Sequence, residues 1–354
     1  MGESLRVVPA DVLAFSGAVR GIEEETGPAL RYLDEWLSLP GTAGGLFTDT
    51  ARSVHDIRDR LKVNYEQLGR IADASSIELE KAAGMYRDTD LEVARELDRT
   101  YVGASQPDAD GSVRSSVRTV TGAPSAVLAA PDALRPLLSD MWNTIGSLQF
   151  LSPTWLVCKA WEAATGEDPM GWTERIAGNW EDIQQAGKAL ATLGDYNSEL
   201  AAVILRTAAA GTQTWQGNAA TGAGEYFAAF ANAVAAQQDP LVEMGRNLEQ
   251  LATAISEFGT LIGDIFQSVF DMAIIAAVQL SMSMAPVPTG PVFGAAFAAT
   301  FARMVATAAP VVDWYGRVLL LVREALARGY ALLGGAEFVS LPGLPTSSYD
   351  HPGV

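Results

Sequence analysis

The sequence predicts an all-α fold, an elongated helical bundle of two fused helical hairpins followed by an apolar helical hairpin and a C-terminal helix. Three observations lead to this class. Apolar residues recur at alternating spacings of three and four in both halves of the chain, which indicates narrow helical stripes that pack against other helices. Segments rich in Gly and Pro separate these stripes and indicate chain reversals. At about 1.5 Å per residue, the longest predicted arm of the first hairpin reaches about 80 Å, so we expect an elongated shape.

Residues 1–102 are interpreted as the first hairpin. Its first helix is expected to begin at Pro9, because the missing N–H of a proline is not needed at the first helical position. A Gly-rich turn at residues 40–45 leads into a second helix, which is expected over residues 47–101. We expect hairpin one to pack on hairpin two as an internal four-helix bundle. The stripe of the second helix is Val54, Ile57, Leu61, Tyr65, Leu68, Ile71, Ser75, Leu79, Ala82 and Tyr86.

Residues 103–173 connect the two hairpins. The segment 103–124 is polar and rich in Gly, Ser and Pro, which is typical of a linker. Its Asp-Ala-Asp-Gly at 108–111 is similar to the start of a calcium loop, but Thr119 stands where a bidentate Glu is needed, so no calcium site is expected. The segment 125–173 is expected to hold short helices and is rich in Trp. We interpret these rings as packing where the linker docks, with an aromatic binding groove as the alternative.

Residues 174–270 are interpreted as the second hairpin, which turns at Trp215-Gln216-Gly217. The indole of Trp215 can cap the end of a helical interface, and Gly217 supplies the positive φ that reversing the chain requires. Asn218 is expected to cap the following helix. The apolar pattern after this corner continues to Val269 without a break in register. Polar residues on the stripes, at Ser75, Asn197 and Gln237, are expected to fix the register of packing.

Residues 271–335 form an apolar helical region. Between Asp271 and Arg303 there is no charged residue. Two helices are expected, at 272–285 and 292–309, each at or below the roughly 18–20 residues that span a bilayer. A last helix begins at Pro310, and the tail at 336–354 is expected to be disordered.

The apolar hairpin at 272–309 has two interpretations. Small residues such as Gly294 permit close helix contact. Packing in a soluble fold, within the chain or between copies, is favoured, and insertion into a membrane is the alternative. Gly294, Phe297 and Phe301 are the candidate residues for contact with a membrane or with another copy in a homo-oligomer.

The composition excludes several function classes. A net charge of −18 would repel nucleic acid and anionic lipid headgroups, so no nucleic-acid partner is expected. The two histidines, His55 and His351, have no second His or Cys at metal-ligand spacing. The sequence contains no nucleophile elbow and no phosphate loop. We therefore predict a non-enzymatic protein without a cofactor or a metal. A cleaved Sec-type signal is not expected, because no basic segment followed by an apolar run opens the chain.

One polar pair near the end of the second helix has two interpretations. Tyr86 and Asp90 are four residues apart and share a helix face. An aromatic ring with a carboxylate one turn on offers a partner protein an apolar anchor and a charge. In the alternative, Tyr86 closes the hairpin interface and Asp90 is solvated.

Two helical hairpins, a Trp-x-Gly corner and a Tyr-x-x-x-Asp element together resemble substrates of the type VII (ESX) secretion system of actinobacteria. Residues 5–101 are similar to the EspC family, in Leu-Arg-Val before Pro9, in Phe-Thr-Asp-Thr at 47–50, and in Ala-Ala-Gly-Met-Tyr-Arg-Asp-Thr-Asp at 82–90. Residues 174–270 resemble the WXG hairpin family and the PPE-like half of EspB-type substrates. The first hairpin departs from the pattern, since its corner reads Gly-Leu-Phe at 45–47.

The resemblance implies a function and a set of site residues. Tyr86 and Asp90 would form an export signal, with Trp215 and Gly217 as its complement, read by the ESX membrane ATPase and in part by a substrate-specific chaperone. The chain would be cytoplasmic before export and then secreted or envelope-associated. Two alternatives remain: a membrane-active or pore-forming oligomer acting through 272–309, and a cytoplasmic scaffold or chaperone for WXG-type partners. If the hairpins pack together, Tyr86 should lie near Trp215.

Overall fold

The computed structural model describes residues 6–39, 45–89, 93, 123–132, 154–167, 178–284, 289–332 and 343–351. The all-α prediction is confirmed, because helices account for 85% of these residues and no β-strand occurs among them. The helices form a bundle with one continuous hydrophobic core.

The first hairpin consists of α1 (Pro9–Trp36) and α2 (Gly45–Asp88), which pack along each other. The helix start at Pro9 is confirmed. The predicted stripe of α2 is buried at every position. Its predicted extension towards residue 101 lies almost wholly outside the described residues.

The connector is described in two pieces. Residues 123–132 contain a short 3₁₀ turn, Pro124–Val127, and dock on α1, where the Tyr32 hydroxyl donates to the Ala129 carbonyl oxygen at 2.8 Å. Helix α3 (Thr154–Thr165) buries Trp161, whose ring lies 5.7 Å from that of Phe266. This contact favours the packing interpretation for Trp161. The remaining linker, 103–122, lies outside the described residues.

The second hairpin has a short arm, α4 (Trp180–Gly211), and a long arm that is divided into α5 (Asn218–Ala235) and α6 (Gln238–Ser283). The sequence pattern predicts no break in the long arm. The break arises because Pro240 has no N–H to donate to the carbonyl four residues earlier. The backbone of Gln237 stays near helical values, φ −82° and ψ −11°, so the arm is interrupted only locally.

The two hairpins pack on each other as the internal-bundle prediction requires. Helix α4 packs against α1, α5 and α6 and touches α2. At the first turn of α2, the Phe47 ring lies edge-on to Trp180, with centroids 5.5 Å apart. The contact between Phe47 and Trp180 closes the end of the bundle opposite to the Trp215 corner.

A buried polar network joins α2, α4 and the junction of α5 with α6. The Tyr65 hydroxyl donates to Asn197 Oδ1 at 2.9 Å, and Gln237 Oε1 accepts from Asn197 Nδ2 at 3.4 Å and from Asn64 Nδ2 at 2.8 Å. Burial raises the pKa of Tyr65 above its usual range, and the hydrogen bond to Asn197 offsets this in part. Hydrogen bonding satisfies these buried groups only in one register, which supports the expected role of Asn197 and Gln237.

Two glycines allow α4 and α6 to approach closely. A Cβ added to Gly187 would lie 2.7 Å from the carbonyl oxygen of Gly245 and 3.2 Å from the backbone nitrogen of Glu249. The nearest of these atoms belongs to backbone, so the helices could not accommodate a side chain here without separating.

The apolar region contains the last turns of α6, which ends at Ser283, together with α7 (Gly290–Ala308) and α8 (Pro310–Leu332). The helix expected at 272–285 is therefore not separate, because no break interrupts the backbone hydrogen bonds of α6 before Ser283. Helix α7 packs on α6 and α3, and α8 packs on α6 and α2. Only Gly290, Met304 and Ala308 of α7 are fully buried. The region therefore packs within the chain but leaves much apolar surface exposed.

The tail differs from its prediction of disorder over the part that is described. Residues 343–351 have no regular secondary structure, yet Leu344, Tyr349 and His351 are buried. The reason is that the three side chains join the core, where Tyr349 contacts the rings of Tyr226 and Phe227 and His351 contacts those of Tyr86 and Trp215.

Candidate functional site

The corner between α4 and α5 is built as the sequence predicts in one respect and differently in another. Gly217 has φ 127° and ψ 179°, a conformation that favours glycine. The prediction that Asn218 caps α5 is wrong, because Gly217 occupies the N-cap position and Asn218 is already the first helical residue. The turn needs a positive φ at the residue that precedes the helix, and this places glycine at the cap.

The corner is held against the start of the first hairpin. Arg6 and Gln216 exchange backbone hydrogen bonds of 3.4 and 2.7 Å as an isolated antiparallel bridge. The Thr214 hydroxyl donates to Asp11 Oδ2 at 2.5 Å. Both contacts fix the corner relative to the first turn of α1.

Tyr86 of α2 lies against Trp215, as the sequence leads us to expect. The ring centroids are 6.0 Å apart with an interplanar angle of 73°, an edge-to-face arrangement favoured by aromatic pairs. Both side chains are buried, with exposed fractions of 8% for Tyr86 and 1% for Trp215. The structure therefore brings together one residue from each hairpin.

The carboxylate of the predicted signal, Asp90, lies outside the described residues. The described end of α2 is charged and exposed, with Arg87 Nε 3.0 Å from Asp88 Oδ1. Hydrogen bonding to Arg87 lowers the pKa of Asp88.

A third ring, which no sequence pattern predicts, lies against the first two. His351 Nε2 lies 3.0 Å from the Tyr86 hydroxyl, and either group can donate, depending on the histidine tautomer. The imidazole is edge-on to Tyr86 at 5.5 Å and nearly parallel to Trp215, at 6.2 Å and 22°. We call the three residues Tyr86, Trp215 and His351 the aromatic cluster.

Tyr349 anchors the same segment beside the aromatic cluster. Its backbone N–H donates to Ser75 Oγ at 3.0 Å, and its hydroxyl donates to the Ala219 carbonyl oxygen at 3.2 Å. Its ring lies 5.9 Å from that of Tyr226, whose hydroxyl donates to the Ser347 carbonyl oxygen. Burial raises the pKa of Tyr226, and its hydrogen bonds offset this in part.

An open groove lies on the first hairpin, near the end of α2 that carries Tyr86. It has a volume of about 340 Å³ and separates the first turns of α1 from the last turns of α2. Its lining includes Leu13, which is 48% exposed, together with Gly84 and Arg87 on either side of Tyr86 in the sequence. The described lining of the groove does not include a residue of the aromatic cluster, so the groove is a neighbouring surface of the same helix pair.

The three candidate residues of the apolar hairpin lie together on α7. The rings of Phe297 and Phe301 are 6.1 Å apart and partly buried against the core. Gly294 lies close to Ser283 at the end of α6. All three residues are half-buried, so they pack against the chain in part and keep some surface for another contact.

Within the described ranges, no three His, Cys, Asp or Glu side chains are grouped to hold a metal ion. No family model, no curated protein and no solved structure is found to be similar to this chain.

Proposed function

We propose that this protein is a non-enzymatic substrate of an actinobacterial type VII (ESX) secretion system, exported through a composite signal. Tyr86 and Asp90 supply one part, and Trp215 and Gly217 supply the other. The protein is cytoplasmic before export and secreted or envelope-associated afterwards. The observation that carries the proposal is the ring contact between Tyr86 and Trp215, which come from different hairpins.

This contact supports the proposal because a composite signal needs its two parts on one surface. Such substrates are read when a Tyr-x-x-x-Asp element and a Trp-x-Gly corner lie together, and here one chain supplies both. The groove along Leu13, Gly84 and Arg87 offers the membrane ATPase, or a substrate-specific chaperone, an apolar floor beside charged groups. These are the features that protein interfaces use as anchors.

Export measurements test the proposal. Tyr86→Ala and Trp215→Ala should each reduce the amount of protein in the culture supernatant by more than about tenfold, because losing an aromatic anchor costs a partner more than about 2 kcal/mol of binding energy. Immunoblots of culture filtrate and cell lysate, with and without a working ESX ATPase, give the measurement. Asp90→Asn should also reduce the amount of exported protein.

Both alanine variants also remove buried rings, so a stability control is needed. Phe258 is buried in α6, against Tyr315 and away from the corner, and Phe258→Ala should destabilise the fold by a similar amount, about 3–5 kcal/mol. We expect its export to stay near that of the wild type if the variant still folds. Equal losses in all three variants would assign the effect to stability, and unchanged export of the Tyr86 and Trp215 variants would contradict the proposal.

The second candidate is a membrane-active oligomer that acts through 272–309. The segments Asn218–Ser283 and Gly290–Glu324 are long and apolar enough to cross a membrane by length and composition, with 39% and 17% of the most apolar window buried. Large apolar side chains are exposed at the tip of α6 and the start of α7, including Ile275 at 54% and Val292 at 69%. Exposed apolar surface of this kind favours contact with lipid or with another copy.

Dye leakage from liposomes separates the two candidates. Purified protein should release dye if the second candidate is correct, and Ile275→Lys with Val292→Lys should abolish release, because burying a charge in the bilayer is costly. A matched control places lysine at Val63, which is 59% exposed on α2 and outside this surface. Absence of leakage by the wild-type protein in neutral lipid vesicles would exclude this candidate.

A further inference from the structure

The segment 343–351 occupies the surface where the two parts of the proposed signal meet. Its contacts come from three elements: Ser75 and Tyr86 of α2, Trp215 of the corner, and Tyr226 of α5. Its two buried rings, Tyr349 and His351, bracket one exposed residue. An extended segment that inserts alternate side chains into a surface is a general mode of peptide recognition.

The segment contacts the rest of the chain in the way that a separate peptide ligand would. It adds no helix or strand to the fold, and the contacts that fix it are made to side-chain groups and to one carbonyl oxygen of helices that pack on each other independently of it. Displacing it would expose the aromatic cluster without separating the hairpins. Local openings of this kind require less free energy than global unfolding.

The segment does not provide a hydrogen-bond partner for every polar group of the aromatic cluster. The Trp215 indole N–H is buried, and no acceptor for it is found among the described residues. A buried donor without an acceptor costs free energy. A competing ligand that places a carbonyl or carboxylate oxygen at hydrogen-bond distance from this N–H would remove that cost. The segment 343–351 does not supply such an oxygen.

We infer that segment 343–351 is an intrachain ligand that masks the aromatic cluster and must leave before a partner protein can contact Tyr86 and Trp215. The site takes an extended peptide with aromatic side chains two positions apart, and the partner that replaces it supplies an acceptor for Trp215 Nε1. The biological role of this inference rests on the proposed export function. The replacement of the segment by another peptide does not depend on that function.

Peptide binding to the full chain tests the exchange. In Tyr349→Ala/His351→Ala the segment loses both rings, so a fluorescent peptide of residues 343–351 should bind, with saturation in an anisotropy titration. The wild-type chain should bind the peptide at least about tenfold more weakly, because its own segment competes. Asp350→Ala changes an exposed residue of the same segment and should behave as the wild type.

Two further titrations test the specificity of the site and the inference itself. A peptide with alanine in place of its tyrosine should bind the double variant at least about tenfold more weakly than the natural peptide. No saturation by the natural peptide up to about 1 mM, the effective concentration of a short tether, would overturn the inference. Equal peptide affinity for the wild type and the double variant would also overturn it.

A measurement on the wild-type chain tests displacement without depending on correct folding of the double variant. Adding the natural peptide at about 1 mM should speed hydrogen exchange in residues 343–351, while α4 and α6 keep their protection. Unchanged exchange in the segment would contradict displacement.

Export then separates this inference from the proposed function. If both are correct, the double variant is exported at least as well as the wild type, whereas Tyr86→Ala is not. Peptide binding combined with normal export of Tyr86→Ala would contradict the function and support the masking contact. Loss of export in Tyr86→Ala without any peptide binding would support the function and overturn the mask.

Discussion

Replacing Gly245 with alanine is expected to lower the free energy of unfolding by about 2 kcal/mol. The new methyl group would meet the Gly187 carbonyl oxygen inside van der Waals contact and the Ala191 backbone nitrogen at 3.1 Å. Because both obstacles are backbone atoms, no side-chain rotation can relieve the overlap, and α4 and α6 must separate. The loss of close packing along these helices exceeds the gain of up to about 1 kcal/mol from higher helix propensity. Urea denaturation followed by circular dichroism measures the change.

Gly224 provides the matched control for this prediction. It lies within α5, and a Cβ at this position would have no neighbouring atom within 4 Å. Gly224→Ala should therefore raise the free energy of unfolding by about 0.5–1 kcal/mol. If Gly245→Ala were as stable as Gly224→Ala, the close approach of α4 and α6 would be incorrect.

The second large effect is a loss of stability at alkaline pH through Tyr65 and Tyr196. Both phenols are buried, and burial is the main cause that raises the pKa of each above its usual range. An unfolded tyrosine loses its proton near pH 10, so the folded state binds more protons above that pH. The stabilising contribution is therefore complete below pH 10 and is lost as the pH rises. At pH 11 the expected loss is about 1.4 kcal/mol per phenol, or about 3 kcal/mol for the pair.

The variant Tyr65→Phe/Tyr196→Phe checks the origin of this loss. At pH 7 it should be less stable than the wild type by about 1 kcal/mol for each lost hydrogen bond, those to Asn197 Oδ1 and to the Glu25 carbonyl oxygen. At pH 11 this difference should vanish or reverse, because the variant has no phenol to ionise at these positions. Urea unfolding at both pH values gives the comparison, and an unchanged difference would show that other groups cause the alkaline loss.

The sequence predicted the helical core well because the stripes are long and regular. Each predicted stripe position of α2 is buried, and the polar residues Asn197 and Gln237 lie on stripes where they meet each other. A periodic pattern reports which face of a helix is covered, and this information is local. The contact of Tyr86 with Trp215 followed from a family resemblance together with the packing of hairpins, and spacing alone left its role open.

Features without a period were missed for physical reasons. The break before α6 depends on one residue, Pro240, which does not disturb the apolar spacing. The tail at 343–351 carries only two aromatic side chains in an irregular backbone, so its burial is visible only when the surface it contacts is known. The pairing of Gly187 with Gly245 joins distant positions, and a single helix pattern contains no information on which partner a glycine faces.

The bridge between Arg6 and Gln216 has a mechanical consequence. Residues 6 and 351 contact neighbouring positions of one turn, 216 and 215, so both described ends of the chain meet at one pole of the bundle. A pulling force applied to either end loads this pole first. The contacts there are the two backbone hydrogen bonds of Arg6 at one end, and the hydrogen bond and ring contacts of His351 at the other. Force applied to the two described ends should therefore break these few contacts before it reaches the long helix interfaces of the bundle.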